Sequence, residues 1–578
     1  VQFRDTAIYI NSSADGQLDI VADTEVQIAA TTIDINGNVD ISGTAGVGGV
    51  LTANAGVVVD NITIDGTEID LSSGSLTIDS AGSIILDAVD SITTPTAGTS
   101  NVKLGVNAGN SITSGGNYNV VLGDEAGTAI TTGDSNVAIG FEAGSSLTDQ
   151  GSNVIIGYQA GKNLDEDSNV AIGNQAMFTA TTANNSVAIG RAALYSTTTG
   201  NDNIAIGREA LKSNQEGSNS VAIGHEALEN QNPSSATDMH NVAIGHSAGA
   251  AVTTGQLNTL IGGLAGDAIT TGSENIAIGY RALSAEDTNG LNIAIGNDSL
   301  MTQDAGANAY NTAVGYHTGK LITTGIQNTF IGGLSGDANT TASNNTALGY
   351  NAMGANTTGD SNVAIGSQAF TTNTVGDRNV AVGVGALQTF NPASNADTYN
   401  IGIGYAAGTS VTTGIRNVLI GGLAGDALTD ADNNVAIGYN ALTADTLGSN
   451  SVAIGGGALQ AQNFTSATNA YNTAVGHNAG LSVTTGQYNA ILGGLAGDAL
   501  TDADFNVAVG YHALSSDTLG SRTTAVGQGA LFSQNFTSAT DTYNTAVGYA
   551  AGVNITTGTE NTLIGGLAGD ATTTGNVN

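Results

Sequence analysis

The chain has 578 residues, 82 glycines, three prolines, no cysteine and no tryptophan, and 40% of it is apolar, enough to bury a core rather than stay disordered. Asp and Glu outnumber Lys and Arg by 49 to 11; the net charge of −38 disfavours nucleic-acid phosphates and anionic membrane surfaces as partners. The lack of cysteine excludes disulfides and thiolate metal sites, and no apolar run reaches the roughly 18 residues of a membrane span, so no membrane insertion is expected.

Residues 1–98 carry short runs of period two, such as "AIYIN" at Ala7, "TIDINGNVDIS" at Thr32 and "NITIDGTEIDLS" at Asn61. Ile alternating with Asp predicts strands with one buried and one wet face. No stretch is long enough for a compact domain of its own. The segment therefore reads as an intertwined trimeric β-stalk, with Gly43–Gly49 and Thr93–Ser100 as linkers.

From residue 99 to 578 a second pattern takes over. "SNVAIG" at Ser135 is followed by "NVIIG" at Asn153, "NVAIG" at Asn169 and "SVAIG" at Ser186. The closing glycine recurs 27 times, mostly 17 residues apart, from Gly105 to Gly565. Ile, Val or Leu precedes it every time, Asn stands four before it in 23 cases, and Ala three after it in 24. Glycine at this density opposes a helix, whereas a short strand returning at a fixed period predicts a β-solenoid stacking turn on turn. At about 4.8 Å per turn the rod would be on the order of 130 Å long. The pattern predicts a ladder of Asn side-chain amides bonded to one another, an aliphatic residue pointing into the coil, and glycine at a corner of unusual dihedrals or close backbone approach.

Four turns are lengthened to 21 residues, ending at Gly245, Gly404, Gly476 and Gly548, and one to 19, ending at Gly315. Their extra residues, as in "NPSSATDMHN" and "NFTSATNAYN", belong in surface loops. After each long turn comes a variant such as "LIGGLAGDA", in which a bulky residue replaces Ala two before the anchor glycine: Leu260, Phe330, Leu419, Ile491 and Leu563. If the neighbouring Ile faces the core, these residues face outward and need a partner. They become candidate plugs near the axis of a parallel homotrimer whose chains pack their Ala faces together. A monomeric solenoid with these residues beneath an insertion loop is the alternative.

The repeat, as in "NSVAIGRAAL" at Asn185 and "NTAVGYHTG" at Asn311, resembles the left-handed β-roll heads of trimeric autotransporter adhesins. The 17-residue form with "TTG" loops is closer to repeats of long bacteriophage tail fibres, and Phe3–Gly43 is similar to fibre stalk sequence. The resemblance implies an all-β architecture: a left-handed parallel β-roll of about 27 turns preceded by the stalk, in a parallel homotrimer. The membrane-anchoring barrel of the autotransporter class is not seen. Asn578 falls where the next turn's Asn belongs, so the motif stops part-way, and the resemblance implies a further distal part.

The slot after the anchor glycine holds Tyr158, Tyr280, Tyr316, Tyr350, Tyr405, Tyr439, Tyr511 and Tyr549, with His225, His246 and His477 in the same column and His317 and His512 one residue further on. They read either as a ladder of large residues on one edge or as aromatic platforms for sugar rings; metal binding by axial histidines is a third reading. "DALTDAD" at Asp426 and Asp498 lacks the spacing of a calcium loop and reads as a solvated acidic corner, and Asp267, Asp337 and Asp570 as turn residues bonding their own backbone. Every Asp or Ser candidate belongs to a repeating slot, whereas a catalytic site is singular, so no enzyme and no cofactor are expected. The expected function is a structural and adhesive fibre of a bacteriophage tail, located on the virion and contacting other tail or baseplate proteins and a host surface glycan or protein. The alternatives are a trimeric adhesin of a bacterial cell surface and a glycan-degrading tailspike.

Overall fold

The computed structural model describes residues 9–11, 19–22, 24–30, 32–36, 38–42, 44–48 and 98–576. The chain divides into two units, Val1–Leu86 and Asp87–Asn578. In the first, Tyr9–Asn11 pairs antiparallel with Asp19–Val21. Most of the stalk expected over 1–98, its intertwining included, lies outside the described residues.

The second unit is a parallel β-solenoid of about 27 turns. Its strands are three residues long, from Val102–Leu104 to Thr562–Ile564, and each pairs in parallel with the strand of the next turn. Register is one-to-one: Val137, Ala138 and Ile139 face Val154, Ile155 and Ile156. The residues that bracket the strand keep it short. On one side the anchor glycine turns the chain at a φ that side chains avoid, +140° at Gly245, and a Cβ there would lie 2.4 Å from the carbonyl oxygen of Gly262 in the next turn. Both the dihedral and the close approach demand glycine, which is why this position never varies.

On the other side stands the Asn ladder. The Oδ1 of Asn119 accepts the backbone N–H of Asn136 (2.9 Å), and its Nδ2 donates to the carbonyl of Gly133 (2.8 Å). The same pair of bonds recurs at Asn258, Asn345 and Asn434. The ladder therefore runs mainly from side chain to backbone rather than amide to amide, although Asn153 Nδ2 also reaches Asn136 Oδ1 at 3.1 Å.

The ladder decides which strand residues face inward, and here the structure reverses the expectation. Asn136 is buried because its amide must reach backbone groups inside the corner; alternation then puts Val137 outside, Ala138 inside and Ile139 outside. The mid-strand residue fills the core, and the invariant aliphatic residue before the glycine does not point into the coil.

Leu260, Phe330, Leu419 and Ile491 are accordingly fully buried within a single chain, and Leu563 nearly so, which removes them from a trimer axis. Nor do they need an insertion loop above them. What they fill is the space left by two glycines, one in their own turn and one in the turn before. A Cβ on Gly249 would lie 2.6 Å from Leu260 Cδ1, and one on Gly266 2.8 Å from Leu260 Cδ2. Phe330 occupies the same space between Gly319 and Gly336.

A related exchange operates within each turn. Where the fourth residue after the anchor is Gly, the seventh is usually a large aliphatic, and a Cβ on Gly127 would be 2.7 Å from Ile130 Cδ1. Where the fourth is Leu, as at Leu211 or Leu442, the seventh is small or polar: Asn214 and Asp445, both buried. One core slot is filled from either of two backbone positions, consistent with close packing.

The 21-residue turns add a second, two-residue parallel pair, such as Gly448–Ser449 with Thr468–Asn469. Beneath it Asp445 accepts the N–H of Gly448 (3.0 Å) and of Phe464 (3.1 Å) and an amide hydrogen of Gln462 (2.6 Å). Gln462 Oε1 in turn accepts from ladder residue Asn472 at 2.9 Å. The set repeats around Asp517, Gln534 and Asn544. A turn widened by four residues is thus braced by a Gln long enough to span it.

Two outcomes follow. Asn434→Ala strips partners from the buried Ser451 N–H and Gly448 carbonyl, and should cost about 2–4 kcal/mol, read as faster hydrogen exchange in Val435–Ile437 and Val452–Ile454. Asn434→Ser should cost much less, because Ser186 already accepts the Asn203 N–H through its hydroxyl. Separately, Gly266→Ala and Leu260→Ala should each destabilise, by overpacking and by cavity formation, on the order of 1–4 kcal/mol. The double variant should cost less than the sum, measured by a double-mutant cycle.

Candidate interaction surfaces

Because the strand alternates, its first and third residues form two outward columns along the solenoid. The third is Ile, Val or Leu in all 27 turns; the first is Val, Ile or Thr except at Ala490. Most are half-buried by their neighbours along the column. Several remain more exposed, among them Leu348 at 43%, Leu492 at 40% and Ile403 at 37%. The coil itself supplies no cover for this stripe.

Aromatic residues flank the stripe on both sides. On the glycine side, Tyr158, Tyr280, Tyr316, Tyr350, Tyr405, Tyr439, Tyr511 and Tyr549 are all exposed, between 49% and 66%. They do not form one continuous stack. Phe141 and Tyr158 stack at 5.6 Å and His225 and His246 at 5.1 Å, but elsewhere the rings are separated by glycine or by a non-aromatic residue. A Cβ on Gly263 would lie 3.5 Å from the Tyr280 ring, and one on Gly422 3.5 Å from Tyr439. Each of these rings lies over bare backbone, with Tyr405 on the far side of Gly422 and His246 on the far side of Gly263. Successive rings two turns apart are separated by about 9.6 Å, so a slot the thickness of a pyranose ring is left between them.

The column on the Asn side was missed by the sequence reading. Tyr471 and Tyr488 stack at 5.7 Å, Tyr488 and Phe505 at 4.9 Å, and the Arg522 guanidinium lies 4.8 Å from the Phe505 ring centre. The available signal was Tyr or Phe directly before the ladder Asn, as in "AYN", "QYN" and "FN". These rings cover one another's faces and present edges outward, unlike the glycine-side tyrosines.

The acidic candidates do not converge. Asp426 accepts from the Thr443 hydroxyl, Asp430 from the Thr413 hydroxyl at 2.5 Å, and Asp432 from the Ile415 N–H at 2.7 Å. Asp267, like Asp426, is held by a hydroxyl of the following turn, Ser284 at 2.5 Å, rather than by its own backbone; Asp337 does bond its own backbone. Two buried carboxylates titrate in opposite directions. Burial raises the Glu286 pKa against the hydrogen bonds of Asn289 and Gln303. Burial also pushes Asp298 up, but the two bonds from Arg281 (2.9 and 3.1 Å), with Lys320 and His317 close by, pull it below the ordinary carboxylate value.

A carboxyl whose folded pKa is depressed adds stability above its unfolded pKa of about 3.9 and loses it as pH falls through the folded value. Asp298→Asn should therefore accelerate hydrogen exchange in Ile293–Ile295 and Thr312–Val314 at pH 7, and the difference from the parent chain should shrink as the pH falls below about 3.9.

Among the described residues no helix is long and apolar enough to cross a membrane. No family model, no curated protein and no solved structure matches the chain.

Proposed function

We propose that the protein is a structural and adhesive fibre of a bacteriophage tail: a left-handed roll assembled as a rigid parallel homotrimer that presents loops, or a tip beyond it, to the host surface. The single observation that carries the reading is the uncovered aliphatic stripe. Two outward columns of almost wholly aliphatic or Thr residues run unbroken over 27 turns, the kind of extended apolar surface that marks a protein–protein contact. Parallel register suits identical copies, since each column has the same spacing in every chain. In the first unit Ile28, Ile33, Ile35 and Val39 are 54–60% exposed, which favours partner chains there as well.

Receptor contact would fall to groups that stay outside such an interface. The loops at 232–241, 391–400, 463–472 and 535–544 are braced from below and polar above. The tyrosines over bare glycine suit stacking with sugar rings. Weak sites repeated on three chains give avidity without one strong site.

Sedimentation equilibrium should return three times the chain mass of 57.0 kDa. Replacing the outward pair Val435 and Ile437 by Asp should lower that mass, whereas Tyr439→Ala should leave it unchanged. A stable single chain would overturn the assembly. Antibody labelling of virus particles should decorate the tail; labelling confined to bacterial cells would overturn the viral assignment. Binding of the labelled chain to host cells should fall when surface polysaccharide is stripped, and Tyr439→Ala combined with Tyr511→Ala should weaken it.

A further inference from the structure

The 21-residue turn ending at Gly245 brings together a group that occurs once among the described residues. His225 and His246 occupy the slot after the anchor glycine in consecutive turns, and their rings stack with centres 5.1 Å apart. Glu226 follows His225, and the ligand atoms of the three side chains lie within 4.8 Å of one another. Ser247, buried in the next turn, donates its hydroxyl to Glu226 Oε2 at 3.3 Å and fixes that carboxylate. The remaining histidine of this column, His477, stands alone between Gly456 and Gly494.

A cation already sits at this group. The Arg208 guanidinium contacts His225 Nε2, with its Nε at 2.5 Å, and also bonds Glu226 Oε1 at 3.2 Å. His225 Nε2 also lies 3.3 Å from Glu226 Oε1, so this ring nitrogen faces the cluster. Arg208 has an alternative partner in Glu209 Oε1, already 3.4 Å away.

We propose that His225, Glu226 and His246 form a binding site for a divalent transition-metal ion of the zinc, nickel or cobalt type, with Arg208 as the cation it displaces onto Glu209. Two imidazoles and one carboxylate are the donor set of such ions, whereas calcium and magnesium take oxygen ligands. Metal–ligand bonds of about 2.0–2.2 Å require the donor atoms to close by roughly an ångström, within reach of surface side chains. Each bound ion would tie together the two consecutive turns that close at Gly224 and Gly245. The site depends on the coil geometry alone and stands whether or not the fibre reading does.

The test uses the full chain without a histidine tag, titrated with Co²⁺ and followed by visible absorption, with Ni²⁺ calorimetry alongside. One ion per chain is expected. Affinity should fall by at least about tenfold in His246→Ala and in Glu226→Gln, and should decline as pH drops through about 6.5, where imidazole protonates. Arg208→Gln should tighten binding by removing the competing cation, and His477→Ala should change nothing. Circular dichroism of each variant establishes that the solenoid is intact. Absence of saturable binding, or equal affinity in the parent chain and His246→Ala, would overturn the site. So would equal losses in His246→Ala and His477→Ala, and unchanged or weaker binding by Arg208→Gln would overturn the displacement.

Discussion

In-register stacking of one turn on the next is the constraint from which the other features descend. A typical turn encloses little more than two Ala and one larger aliphatic side chain, as Ala138, Ala143 and Leu147, too little apolar area to offset its own ordering entropy. Backbone bonds between turns therefore have to be made at nearly every corner. The direction of donation alternates around the turn: Val137 N–H goes forward to Asn153, Gly140 and Glu142 go back to Leu122 and Asp124, and Gly144 goes forward to Ala160. Two of the reversals pass through left-handed residues. Glu142 at φ +53° and Ser152 at φ +61° carry side chains in a conformation costing about 1–2 kcal/mol. They are held there because each donates its N–H to the preceding turn, Ser152 to Asp134 at 3.0 Å. The strain repeats with the turn, and so does the bond that offsets it.

Given that backbone, variation is confined to exchanges that conserve volume. Leu211 with Asn214 and Gly266 with Ile269 are two ways of filling one slot, and Leu260, in the same turn as Ile269, fills the further space left by Gly249 and Gly266. Widened turns change the polarity of the filling instead: Asp445 with Gln462, and Asp517 with Gln534, saturate their buried groups through a repeated set of bonds. In the turn ending at Gly404 an apolar residue replaces the Gln: Phe390 stands at the Gln462 position and stacks at 5.6 Å on Phe370, the counterpart of Leu442, while Asn373 keeps a polar group at the Asp445 position and accepts the Gly376 N–H. A polar brace is therefore one option among several, consistent with the modest net value of buried polar pairs against well-packed apolar ones.

The sequence disclosed period, strand location and the need for glycine, because those depend on counting. It did not disclose which strand face is inside. Judged by hydrophobicity, Ile139 belongs in the core and Ala138 on the surface, yet the structure has the reverse. The deciding residue was Asn136, whose buried amide fixes the phase of the alternation. A hydropathy argument cannot see this, because it ranks Asn as the least suited of the four to burial. The same error misplaced Leu260 and Phe330, whose bulk made sense only once Gly249, Gly266, Gly319 and Gly336 were seen to converge on them in space. The tyrosines after the anchor glycine were placed correctly on the surface. Their division into stacked and unstacked members was invisible, since it depends on glycines 17 residues away.

The reversal of faces changes what the solenoid needs from its surroundings. With Ile inside and Ala outside, the coil would have been sated and its surface only mildly apolar. With Ala inside, the most apolar column of the chain lies outside, because burial of the ladder Asn fixes the phase of the alternation. Adding charge to those columns would cure the exposure, and the chain has acidic residues in plenty, yet none of its 49 stands at the first or third strand position in any of the 27 turns. Charge is placed at the corners instead, where Asp134 and Asp360 cap backbone N–H groups of Asn117 and Ser343. The stripe is thus kept free of charge over its whole length on a molecule carrying −38, and this separation of apolar columns from charged corners is the property on which the proposed assembly rests.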